Sequence, residues 1–271
     1  MVKKLIKHDI LFYLKSLLPA ELLLLGMAVL VRVVQFFETD TYQYDIVAGS
    51  SIIIYVIAAL VCFVMTFTTS VTRFYKNLYT AEGYLTLTLP ASHTAHIFSK
   101  LITATAATFI SLVVISASVL IATFGELSNE ILKAAAYIFK KVFDEVGFHG
   151  VIYIVEMIIL SVVSTASGFL LYYTCITVGQ IFKKNRVAAA FGVYFAYYTF
   201  NQILGTVFLM IAEMFDEELE KLMEHVVKFV YAHPHAAVHI FLCGMIVLTV
   251  AVSAIYFLIN RYIMKNRLNL E

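Results

Sequence analysis

Apolar positions in this chain do not alternate with polar ones. They come in long runs, separated by shorter polar segments. Six runs stand out, at approximately 17–37, 51–71, 101–124, 151–178, 187–214 and 236–262. About 20 apolar residues in a helix cross the roughly 30 Å of bilayer hydrocarbon, and every run reaches that length. Length and the lack of period-two alternation favour helices over barrel strands. The first run is too long for the apolar part of a signal peptide. It is followed by Phe36-Phe37-Glu38 instead of small residues, so it is expected to remain as an anchor. The expected fold is all-α, one polytopic domain over 1–271 with six transmembrane helices.

The connecting segments carry weaker patterns. In 1–16, Ile6, Ile10, Tyr13 and Leu14 recur at helical spacing and lead into Leu17, while Lys4, His8 and Lys15 fall elsewhere. This predicts an amphipathic helix lying on the inner leaflet. Two further segments, 125–150 and 212–237, show apolar stripes beside charged residues and predict amphipathic helices at the outer surface. The longest inner connection is 72–100. There Gly83 is expected to break a helix after Glu82, Pro90 to prevent regular helix through Leu89, and Ser92 to cap the third span. The same loop exposes Tyr84, Leu85 and Leu87, and apolar residues in such a place meet lipid or a partner.

Composition sharpens the class. Of 271 residues 62% are hydrophobic and only 14% charged, against about 25% charged in soluble domains. No single globular core hides that much apolar surface, which excludes an ordinary cytosolic enzyme and a disordered regulator. A net charge of +1 gives no field to recruit nucleic acid. Cys62, Cys175 and Cys243 lie in apolar runs without disulfide or metal spacing. Thirteen of the 19 Lys and Arg residues fall on one side of the six runs, from Lys3 through Arg73, Lys100 and Lys184 to Arg267. Both termini are therefore expected in the cytoplasm, and the chain in the cell membrane. Trp is absent, so tyrosines such as Tyr42, Tyr44, Tyr79, Tyr84, Tyr231 and Tyr262 are expected to form the interface belt.

Catalytic signatures are missing. There is no P-loop, no G-x-S-x-G and no H-E-x-x-H. His233, His235 and His239 form the one metal-like spacing, and interfacial histidines are its simpler reading. No metal is assigned, and the chain is not expected to be an enzyme by itself. Charges inside the spans carry more information, because each costs about 2.5–3.5 kcal/mol or more at the bilayer centre. Glu21 lies near the inner end of the first span and can snorkel. Arg32 and Glu156 each lie five residues from the outer ends of their runs, so an ion pair tying the first span to the fourth is expected, with snorkelling of each to the outer headgroups as the alternative. Ser161, Ser164, Thr165 and Gly168, and Gly192 with Ala196, have the spacing of close helix contacts. On the fifth span Tyr194, Tyr197, Tyr198, Asn201 and Gln202 could line a substrate path. A packed helix seam explains them as well.

One stretch has a familiar look. Phe74-Tyr75-Lys76-Asn77-Leu78, Glu82-Gly83-Tyr84-Leu85-Thr86, Thr88-Leu89-Pro90 and Ser99-Lys100 resemble the permease subunits of bacterial ATP-binding-cassette exporters of the type-2 class. The ending Lys265-Asn266-Arg267-Leu268-Asn269-Leu270 is also similar to theirs. The resemblance implies a coupling helix between spans two and three that docks on a separate ATPase. It puts Glu82, Gly83, Tyr84 and Leu85 at the docking point and Leu89 and Pro90 in the turn back to the membrane. It also implies a second permease chain, ATP and Mg held in the partner ATPase, and an outer helical cap between spans five and six. The 125–150 segment is longer than that pattern. Export of an amphiphilic substrate (a peptide antibiotic, a drug or a lipid-like molecule) is the leading reading. An ATP-independent transporter or channel and a membrane sensor or scaffold are the alternatives.

Overall fold

The computed structural model describes residues 2–39, 41–88, 91–182 and 184–266. Among these the chain forms nine α-helices and no strand. They are α1 (Val2–Phe36), α2 (Tyr42–Tyr79), α3 (Ala81–Thr88), α4 (His93–Ala122), α5 (Glu126–Val146), α6 (Phe148–Gly179), α7 (Arg186–Met214), α8 (Asp216–Ala232) and α9 (Pro234–Asn266). Six of them, α1, α2, α4, α6, α7 and α9, are long and apolar enough to cross a membrane. They cover the six apolar runs to within two residues. Leu89, Pro90 and Arg267-Leu268-Asn269-Leu270 lie outside the described residues.

The chain divides into two compact units, 1–145 and 146–271. In the first, α1 packs along α4 and α2, and α2 carries α3. The buried side of α1 is one stripe, Asp9, Tyr13, Leu17, Glu21, Leu24, Ala28 and Val31. Its upper part joins Tyr55, Cys62 and Ala122 in an apolar cluster. This stripe corrects the reading of 1–16 as a separate helix. The helix runs unbroken through Pro19 for 35 residues, because one face packs on the same neighbours along its length. Within it Tyr13 and Leu17 point inward beside Asp9, and Ile10 and Leu14 are exposed.

In the second unit α6 packs on α9 and α7, and α8 touches α7 and α9. A buried amide fastens α6 to α9. Asn260 Oδ1 accepts from Thr177 Oγ1 at 2.7 Å, and Asn260 Nδ2 donates to Thr174 Oγ1 at 2.8 Å and to the Tyr256 carbonyl at 2.9 Å. The close backbone approach is Gly179 on Ala190, where an added Cβ would sit 2.8 Å from the Ala190 nitrogen. Gly168 and Gly192 have nothing within 4 Å of such a Cβ, so the small-residue spacing expected to mark close contacts does not mark them there. Helices α5 and α8 form where amphipathic stripes predicted them.

Candidate functional site

The connection from α2 to α4 is built by local rules. α2 runs to Tyr79, well past the apolar run, and ends at Thr80, which is extended (φ −113°, ψ −170°). Helix α3 starts at once, with the Gly83 N–H donating to the Thr80 carbonyl at 2.7 Å. Gly83 does not break a helix, as its residue type suggested. It lies inside α3 and is buried against α2, where a Cβ would fall 2.5 Å from the Leu78 carbonyl oxygen. Only glycine admits that approach. Ser92 caps α4 as expected, its Oγ accepting from the Ala95 N–H at 3.2 Å. Tyr79, expected at the membrane interface, is instead buried edge-on to Phe74.

Of the residues expected at the docking point, Glu82, Tyr84 and Leu85 project from α3. Tyr84 is 66% and Leu85 73% exposed. The other side of the connection is tied down by charges that sequence reading passed over. Asp9, only 1% exposed, sits between α2 and α4. Its Oδ1 accepts from Arg73 Nε and NH2, both at 3.3 Å, and pairs closely with Lys100 Nζ. Its Oδ2 accepts from Ser99 Oγ at 3.0 Å. Arg73 also lies 4.0 Å over the Phe12 ring and reaches His8 Nδ1 at 3.3 Å. Its NH1 is 3.7 Å from Glu82 Oε2, which ties α3 to the knot. Buried charges persist only when paired and hydrogen-bonded, and this group meets that condition. The available signal was a lone acid, Asp9, in an otherwise basic N-terminal segment.

Glu21, expected to snorkel, is turned inward. Ser111 Oγ donates to its Oε1 at 2.7 Å, and Thr66 Oγ1 lies 3.0 Å behind Ser111.

Arg32 and Glu156 belong to different units and have other neighbours within them. The Arg32 guanidinium lies against Gly125, whose φ of +125° makes the turn into α5. Glu156 accepts from His239 Nδ1 at 2.9 Å, and His239 Nε2 is 3.1 Å from His149 Nδ1. Tyr153 hydroxyl meets His235 Nδ1 at 3.0 Å, and the His149 and His235 rings stack at 4.7 Å. His235 and His239 thus face α6 within a polar aromatic cluster. Among the described residues no three His, Cys, Asp or Glu side chains are disposed to hold a metal ion.

The fifth-span residues divide. Tyr194 stacks on Tyr172 at 5.7 Å, and the Tyr197 hydroxyl bonds that of Tyr256 at 2.6 Å, so these two knit α7 to α6 and α9. Tyr198, Asn201 and Gln202 are exposed. Asn201 Nδ2 satisfies itself on the Tyr197 carbonyl at 2.8 Å.

No protein-family model, curated protein or solved structure matches this chain.

Proposed function

We propose that this chain is the membrane-spanning permease subunit of an ATP-driven exporter of amphiphilic molecules, working with a separate ATP-binding-cassette ATPase and a second permease chain. ATP and Mg belong to the ATPase. One observation carries the reading. A short helix, α3, exposes Tyr84 and Leu85 at its surface, while Arg73 links its Glu82 to Asp9 of α1, and Asp9 pairs with Lys100 of α4. A push on α3 would reach three spanning helices through one set of charges. The motif around Glu82-Gly83-Tyr84-Leu85 and the absence of a P-loop in the sequence support the same reading.

In this proposal the basic segments and α3 face the cytoplasm of a cell membrane. Helices α5 and α8 cover the outer surface. Tyr194, Tyr197, Tyr198, Asn201 and Gln202 border the cargo path, with the last two amides facing the second permease chain or water.

Co-purification from native membranes in mild detergent tests the reading. The wild type is expected to bring down an ATPase chain, and Tyr84→Ala with Leu85→Ala is expected to lose it while the helical fold persists. A well-folded wild type that brings down no ATPase would overturn the proposal in favour of the ATP-independent or sensor readings.

A further inference from the structure

A cleft of about 120 Å³ runs between α1 and α4, with Tyr13, Leu17, Leu18, Ala107 and Ile110 among its lining residues. A single charged group, Glu21, also lines it. Glu21 is 9% exposed. Its Oε1 is held by Ser111. Its Oε2 makes no hydrogen bond among the described residues, yet it is not fully enclosed. The ion pairs lie elsewhere, and among the described residues no Lys, Arg or His nitrogen pairs with this carboxylate. Arg73 and Lys100 pair with Asp9. A carboxylate on an apolar helix is costly without a partner, and its position at the edge of an open cleft leaves room for one from outside.

We infer that the cleft between α1 and α4 binds a cationic amphiphile, with its alkyl chain along Leu17, Leu18 and Ile110 and its ammonium group on Glu21. Shape and charge select this class together. The walls suit a flexible hydrocarbon, and the one ionic group present attracts a cation and repels an anion. A fatty-acid-like anion is disfavoured, and an uncharged chain gains only the walls. The inference names the cargo class within the transport reading and rests on that reading only in calling the ligand a cargo.

The test is equilibrium binding of radiolabelled dodecyltrimethylammonium to the whole chain in phosphatidylcholine nanodiscs, with empty nanodiscs as baseline and dodecanol as the uncharged chain of equal length. Saturable binding of the cation is expected, with dodecanol weaker. Glu21→Gln keeps an acceptor for Ser111, and is expected to weaken the cation about tenfold and leave dodecanol unchanged. Ala107→Leu fills the cleft while the carboxylate stays, and is expected to weaken both ligands. The inference is overturned if cation binding is not saturable above baseline, if Glu21→Gln binds it like the wild type, or if Ala107→Leu has no effect. No ATPase is present in the assay. Failed ATPase co-purification with saturable cation binding would therefore remove the coupling reading and leave the site.

Discussion

Each unit buries polar groups between its long helices, but they do so with different chemistry. In the first, Asp9, Arg73 and Lys100 make a charged knot that draws three helices together and extends to Glu82 on α3. In the second, Asn260, Thr177 and Thr174 make a neutral clasp between two helices. An amide with its hydrogen bonds filled fixes one register and has nothing left over. A carboxylate shared by two cations has several near-equivalent partners, so its geometry can shift while the charge stays compensated. The charged version stands where a short helix, α3, meets three long ones. The neutral one stands where two helices need only stay together.

The largest expected effect breaks the charged knot. Asp9→Ala removes the buried carboxylate that Arg73 and Lys100 share and should cost about 3–5 kcal/mol, read as a lowered Tm of the helical signal in detergent. A loss below about 1 kcal/mol would mean that water already reaches the knot. Asn260→Ala should cost less, about 2 kcal/mol, because it removes hydrogen bonds to Thr177 and Thr174 and touches no charge. If Asn260→Ala proved the more damaging, the contrast between the regions would be reversed.

Glu82→Gln sharpens the comparison at its exposed end. The Glu82 side chain is largely in solvent, so the change should cost under about 1 kcal/mol and fade as salt is raised. ATPase retention should fall more than stability does. Equal losses in both would assign Glu82 to the fold instead of the link.

How much of this was legible depends on the range of the interaction. Ser92 is followed directly by its helix, so the cap could be read from neighbours in the chain. The same holds for α5 and α8, whose stripes are properties of single helices. That Glu82, Tyr84 and Leu85 lie in the connection between α2 and α4 was legible too, because a polar interruption between apolar runs is local; that α3 runs on through Gly83 was not. Glu21, Gly83 and Tyr79 were misread for the opposite reason. Their residue types allow more than one role, and Ser111, the Leu78 carbonyl and Phe74 chose among them.

By itself the sequence determined that six helices are long and apolar enough to cross a membrane, since spanning length and hydrophobicity add up along a contiguous stretch. It also determined that Ser92 caps the third of them. Only the tertiary structure decided that Asp9 would meet Arg73 and Lys100, 64 and 91 residues away, and that Glu21 would line a cleft between α1 and α4. A charge on a helix is equally compatible with lipid headgroups, solvent or a partner. Which one it receives depends on the faces that neighbouring helices turn toward each other, and packing fixes those faces only when the whole stripe of side chains is buried together.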